Sequence, residues 1–591
     1  MAKKTKQQPE FREDDSWFSE DQLSELTPAD QGDTRRMPIP TQMVSNGEYM
    51  PHPQTEKQKR VEQRIEELAA DASKRVGMTR RQFLASAGGM AASFLAMNEV
   101  FGRFFNVSPV EMFVPSAFAE TGAPRNLFVF DTQLHTIRSS RNFDNLSLRA
   151  IAQGVHSNLN PNDLPDELGG INTPWNPALA GLPNVSENFY LVQFVKDVYL
   201  DSQVTVGLMS NNTGAAIPDV VGSRPPKDVL ESEMGEFLSA PQTAAVRDWI
   251  NMLAGSTRML AHGQMYPGIP GSYPPGTQAP TNLDYMQWQI DELKPDSWKG
   301  YTSANSAKFD LDPESFMRRW RLDDETVAYP MYDLILQNRD MLRTHPGFFN
   351  ICIHKGLSTN ADDDPSLGFP VDIPAAARDW PMLNFVIYHS CIRPGFWMLN
   401  ALNDVQSGRL REGVPDILWT TQFAVDSAPY GNVYAELGTI FASCVITFPS
   451  VCAHILGQLL KFMGEDRIVF GSDSVWYGSP QWQIEALWRF EIPEDMRRQY
   501  GYPALTTAAK RKILGLNSAR LYKIPAASEP APGGVYRPVP ADYEARIPDS
   551  LKTIMEFPGY TADNLAQMRE VYAAAGATPS NTRYGWLRKR A

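Results

Sequence analysis

Cysteine and histidine are scarce in this chain, with four and eight among 591 residues. Cys352, Cys391, Cys444 and Cys452 lie in apolar or Ser/Thr-rich runs, and no two stand at the short spacing of zinc or redox motifs. They read as core residues, which excludes a disulfide framework and a thiolate metal site. A basic cluster is also missing from the body of the chain, and the formal net charge is -13, so nothing is available to grip a phosphate backbone and a nucleic-acid binder is excluded. Hydrophobic residues make up 42% and charged residues 21%, the balance of an ordinary globular protein, which excludes wholesale disorder and a polytopic membrane protein. The length exceeds what one core usually organises, so one large domain with extensions is expected.

Near the start, Thr79-Arg80-Arg81-Gln82-Phe83-Leu84 leads into a mildly apolar Ala/Gly/Ser run from Ala85 to Met97, and Ala117-Phe118-Ala119 precedes Glu120. A basic pair, a short apolar segment and a small-residue cleavage site resemble a twin-arginine export signal. The apolar segment is too short and too glycine-rich to span a bilayer comfortably. The resemblance implies a signal peptide over 79–119, the twin-arginine export machinery as a partner and a periplasmic location. Residues 1–78, rich in Gln, Glu, Lys and Pro, read as a disordered region ahead of it. The competing reading is a chance Arg-Arg ahead of a buried helix.

Beyond this leader, Leu127-Phe128-Val129-Phe130-Asp131 is an apolar run with a polar end, as a buried parallel strand has when it opens into a site. Comparable runs are Val204 to Met209, Arg258 to Met265, Ser297 to Tyr301, Phe349 to His354, Asn384 to His389, Asn432 to Leu437 and Arg467 to Asp473. Helical periodicity lies between most of them, for example at Ala244 to Leu253, Val327 to Leu342 and Cys452 to Met463. Eight alternating units predict an α/β fold, a (β/α)8 TIM barrel over 125–524, with its site at the carboxyl ends of the strands. Arg138 to Glu187 and the Pro/Gly/Tyr-rich Pro267 to Asp291 read as long insertions, and 525–591 as a proline-rich linker and tail.

His135, His354 and His389 fall at strand ends, and Asp473 closes the eighth strand. Three imidazoles and a carboxylate brought together by barrel closure suit a divalent ion with an open coordination position. Gln133 should share a strand face with His135, since side chains alternate with period two. Lys299 and Glu436, at the ends of strands four and seven, are candidates for binding an anionic substrate and for orienting it, against a plain structural ion pair for each. Trp476, like Trp298, Trp320 and Trp397, is either pocket wall or core. His262 reads as a core histidine or a support for the site.

Four motifs, Asp131-Thr132-Gln133-Leu134-His135, Ile353-His354-Lys355-Gly356, Phe385-Val386-Ile387-Tyr388-His389-Ser390 and Arg467-Ile468-Val469-Phe470-Gly471-Ser472-Asp473, resemble in sequence order those of the amidohydrolase superfamily. They resemble most the branch of aminocarboxymuconate-semialdehyde and resorcylate decarboxylases. Lys512 to Tyr522 is similar to that branch's closing helix, so the resemblance covers roughly Asn126 to Ile524. It implies His135, His354 and Asp473 as ligands of one divalent metal, zinc by expectation, with Gln133 at the corner where the family carries His or Glu. It also implies catalytic roles for His389 and Asp473 in moving a proton. A metal-dependent hydrolase of a small amide, ester or lactone is the leading expectation. A non-oxidative decarboxylase or hydratase of an aromatic or unsaturated acid is the second, and a metal-free periplasmic binding protein on the same barrel the third.

Overall fold

The computed structural model describes residues 37–41, 43, 54–124, 126–137, 191–210, 229, 233, 236–254, 257–268, 281–302, 320–357, 365–393 and 397–526. The insertion expected at 138–187, Trp397's side chain and nearly all of the 525–591 tail lie outside them. Numbering the barrel strands alone, β1 is Phe130–Leu134, β2 Val206–Met209, β3 Met259–Gln264, β4 Ser297–Tyr301, β5 Asn350–His354, β6 Asn384–Tyr388, β7 Val433–Glu436 and β8 Ile468–Val469. All neighbours pair in parallel and in chain order. Closure comes from Thr132 N–H to the Phe470 carbonyl at 3.0 Å, Asp473 N–H to the Gln133 carbonyl at 3.0 Å and a parallel bridge between Leu134 and Ser474. The fold is therefore the expected α/β TIM barrel.

The strand residues divide as the pleat requires. Phe130, Val206, Leu208, Leu260, Cys352, Val386, Tyr388, Tyr434 and Val469 fill the interior with Leu521 and Tyr522, while Val129, Ile351, Ile353, Phe385 and Ile387 face the helices outside. On β1 the register shifts between Asp131 and Leu134. There the Asp131 carboxylate accepts the N–H groups of Gln133 and Ser472, at 3.2 and 2.9 Å. The irregularity sends Leu134 outward into the helix-facing core and leaves Gln133 and His135 at the mouth. The four cysteines are free and buried, as expected.

Two expectations need correction. Inside Pro267 to Asp291 a helix forms, Asn282–Trp288, started by a capping box between Thr281 and Asp284. The polar N-terminal region also carries order: Glu56–Val76 is a helix capped by Thr55 and ended by left-handed Gly77, and it buries Val61, Ile65 and Ala69. Its many charges hid a narrow apolar stripe. Helices Arg80–Leu84 and Ala87–Phe101 follow and pack with it. No helix among the described residues is long and apolar enough to cross a membrane.

Candidate active site

At the carboxyl mouth, His135 Nε2 lies 3.0 Å from Asp473 Oδ1. The other Asp473 oxygen accepts the hydroxyl of Thr439, whose own oxygen is 2.9 Å from the Tyr477 hydroxyl. Thr439 has one proton and the carboxylate needs it, so Tyr477 must be the donor to Thr439. Burial opposes ionisation of Asp473, yet the His135 hydrogen bond, the neighbouring imidazoles and the Thr439 hydroxyl outweigh it and hold the carboxyl below its ordinary range.

Gln133 sits between two imidazoles, its amide nitrogen 3.4 Å from His135 Nε2 and 3.4 Å from His389 Nε2. Among the described residues its buried Oε1 has no hydrogen-bond partner, and neither has His389 Nδ1. Both atoms crowd Gly438, where an added Cβ would meet His389 Nδ1 at 2.6 Å, Gln133 Oε1 at 2.8 Å and Glu436 Oε2 at 2.9 Å. With φ at 42° as well, only glycine suits this position.

His389 follows β6 in a left-handed conformation shared by Ser390 and Cys391, with φ values of 55°, 45° and 56°. Three such residues in succession are costly, and Glu436 supports them. The His389 N–H donates to Glu436 Oε2 at 3.0 Å, and the Ser390 hydroxyl donates to the Glu436 carbonyl at 2.8 Å. Burial drives the Glu436 carboxyl up to about 8 against the opposing pull of that N–H bond. The same dryness brings His389 down to about 3, partly offset by Asp473, and holds His354 well below its usual range. The mouth thus sets Asp473, drawn toward its ionised form, beside His389 and Glu436, which burial pushes toward their uncharged forms.

His354 is one step removed. Its ring stacks on Tyr301 at 4.3 Å between centroids and meets His389 edge to face at 4.7 Å. The fully buried Lys299 places its ammonium 3.5 Å from the centre of the Tyr388 ring and 5.0 Å from that of Tyr301. Trp476 forms a wall beside His135, with ring centres 5.6 Å apart, and Phe237 backs it at 5.3 Å. Trp298 and Trp320 are core, and His262 is a buried support within β3.

Sequence position thus brings His135, Gln133, His389 and Asp473 together, attaches Glu436 through the His389 backbone, and sets His354 and Lys299 to one side. Among the described residues, no group of three or more His, Cys, Asp or Glu is placed to hold a metal ion. The three-ligand set of His135, His354 and Asp473 is therefore not assembled with the side chains as they stand. Missed from sequence were Thr439, Tyr477 and Gly438. The one available signal was Gly438-Thr439 directly after the end of β7, where polar and glycine residues reach the mouth.

The family model described as Amidohydrolase matches residues 349–524, the segment that carries His354, His389, Glu436 and Asp473. No curated protein matches the chain. Among solved structures, the chain is similar to 2,6-dihydroxybenzoate decarboxylase from Rhizobium, at 11% identity over 67% of this chain and 99% of that one with a TM-score of 0.33. A second is 5-carboxyvanillate decarboxylase from Novosphingobium aromaticivorans, complexed with manganese and a nitrobenzoic acid, at 14% identity over 68% and 98% with a TM-score of 0.34. A TIM-barrel protein from Bordetella bronchiseptica follows, at 14% identity over 67% and 98% with a TM-score of 0.37.

Proposed function

We propose that this chain is a hydrolase of small organic substrates that works by proton transfer at the barrel mouth, assisted by one divalent ion. The observation that carries the reading is the juxtaposition of ionised Asp473, within 3.0 Å of His135, with His389 and Glu436 held uncharged in the same dry space. Asp473 accepts the proton of the attacking water, and Thr439 and Tyr477 keep the carboxylate aimed. His389, uncharged and steadied by Glu436, takes up that proton from Asp473 and relays it to the departing group, which restores both residues. Trp476 and Phe237 exclude water from one side.

Two donors sharing an ion at bonds of about 2.1 Å stand about 3.0 Å apart at a right angle and about 3.4 Å apart at a tetrahedral angle. The His135 Nε2–Asp473 Oδ1 separation, 3.0 Å, matches, whereas the Gln133 atom 3.4 Å from His135 is the amide nitrogen, so Gln133 would contribute only with its Oε1 turned toward the ion. Two strong donors and a neutral amide fit a hard ion completed by water or substrate better than a zinc ion closed by three protein ligands. An ion held by His135, Asp473 and the Gln133 amide would supply Lewis acidity and a more acidic bound water.

The second reading, a decarboxylase of an aromatic acid, is favoured by Lys299 among Tyr388, Tyr301 and His354, a cation beside flat walls suited to an aryl carboxylate. Purified full chain, stripped with chelator and reloaded separately with manganese or zinc, would be assayed on aryl carboxylates for carbon dioxide release and on amides, esters and lactones for hydrolysis. Manganese-dependent turnover of one group is expected and chooses between the readings. No turnover and no ion in either preparation overturns both and favours a binding protein.

A further inference from the structure

We infer that residues 56–121, including the Arg80-Arg81 segment, are a permanent structural layer of the mature protein rather than a leader removed at Ala119. The first reason is a fully buried ion cluster that spans the expected cleavage point. Arg489 donates to Glu111 at 2.8 Å and to Glu485 at 2.5 Å, with side-chain exposures of 0%, 1% and 5% for the three residues. The Arg489 guanidinium also reaches the Asn106 carbonyl at 3.0 Å and stands 4.5 Å from the centre of the Phe118 ring. Cutting after Ala119 would take away Glu111, Asn106 and Phe118 together, leaving Arg489 with Glu485 alone and stripped of three of the contacts that surround its guanidinium.

The second reason is main-chain pairing. Phe105 forms an antiparallel bridge with Phe490, with Asn106 N–H to the Arg489 carbonyl and Glu491 N–H to the Phe104 carbonyl, both 2.8 Å. Phe104 and Phe105 pack on Phe490, and Phe94 packs on Phe105. The third reason is the division of the motif itself. Arg80 and Arg81 are exposed at the start of a helix capped by Thr79, whereas Phe83, Leu84, Phe94 and Met97 are buried. The apolar segment a signal would offer to a membrane is committed to the barrel, while the arginines remain readable on the folded surface. Delivery by a route that accepts folded protein would then leave the segment in place.

The layer also bears on the site. Helix Gln481–Arg489, which it grips, sends Gln483 to the Ser472 carbonyl at 3.0 Å, next to Asp473. Gln58 bonds the Thr447 hydroxyl at 3.1 Å, at the far end of the helix that begins with Gly438 and Thr439.

The test uses the full chain. Intact mass of protein recovered from cytoplasm and periplasm is expected to include residues 56–121 in both; a stable periplasmic form beginning at Glu120 with an unchanged Tm overturns the inference. Independently, a protease site placed at 124–126 allows the folded chain to be nicked. The N-terminal fragment should co-elute with the barrel on gel filtration, and its clean separation from a barrel of unchanged Tm overturns the inference as well. Glu111→Ala should lower Tm by about 5–10 °C and Arg80→Lys with Arg81→Lys by less than about 1 °C; equal effects of the two would contradict the assignment.

Discussion

Two buried histidines, His262 in the barrel interior and His389 at its mouth, meet the same dry surroundings in opposite ways. Around His262 every proton is placed. Tyr388 gives its hydroxyl proton to the Thr132 carbonyl at 2.6 Å, so it accepts from His262 Nε2 at 3.0 Å, and His262 Nδ1 in turn accepts from Ser297 at 2.9 Å. Tyr522 completes the run with a bond to Ser297 at 3.1 Å. Around His389 the accounts stay open: its Nδ1, Gln133 Oε1 and Glu436 Oε1 are buried without partners among the described residues. Each such atom costs roughly 1–3 kcal/mol. A core histidine is satisfied; one kept unsatisfied beside a carboxylate is positioned for something that arrives.

The sharpest way to break this contrast is Asp473→Asn, which should cut kcat by about 10²–10⁴-fold and leave Tm within a few degrees, because a buried charge disappears while the shape stays. Turnover assays and calorimetry on the same preparations decide it; a collapse of Tm with activity would make Asp473 structural. His262→Leu should do the reverse. It strands Ser297 and Tyr388, costing about 2–4 kcal/mol in chemical denaturation, while kcat of the remaining folded protein falls by less than about tenfold.

Gly438→Ala falls between these two, since its Cβ would press on His389, Gln133 and Glu436 at 2.6 to 2.9 Å. About 1–3 kcal/mol of stability and a tenfold or larger loss of kcat/KM are expected. An unperturbed variant would mean that the mouth is looser than its contacts imply.

The last effect is on pH dependence and concerns Glu436. Its folded pKa is raised, to about 8 from 4.5, so the folded state binds the proton more tightly than the unfolded chain does. Its contribution is full below 4.5, and stability is lost as pH rises through that window toward 8. Glu436→Gln, which keeps an acceptor for the His389 N–H, should flatten that fall. Parallel urea titrations of both proteins at pH 5 and pH 8 measure it, and equal slopes with pH would count against a protonated Glu436.

The barrel was legible because each strand is an apolar run that turns polar at one end, and β4 coincides with its expected span, Ser297–Tyr301. β2, β3, β5, β6 and β7 are shorter by a residue or two at their ends, β8 stops at Val469, four residues before Asp473, and β1 is displaced from 127–131 to Phe130–Leu134, which brings Gln133 within it. His135 and Asp473 could be paired from sequence since barrel closure joins β1 to the end of β8. The left-handed turn at His389–Cys391 could not, because none of its residues is glycine and its supports, Glu436 among them, lie elsewhere along the chain. The N-terminal layer was hidden for another reason: an Ala/Gly-rich helix behind two arginines has the composition of a leader, and only its partners at Phe490 and Thr447 reveal it as packing.

Those partners impose an order on synthesis. Gln58 waits for Thr447 across 389 positions, and Asn106 for Arg489 across 383. At about 5–20 residues per second, the helices that leave the ribosome first spend roughly 20–80 s without the surface they are built to cover. Throughout that interval Val61, Ile65, Phe83 and Phe94 are open to any hydrophobic binder nearby. The eighth barrel unit, the last of the eight to emerge, both completes the mouth and supplies the surface that the N-terminal helices cover.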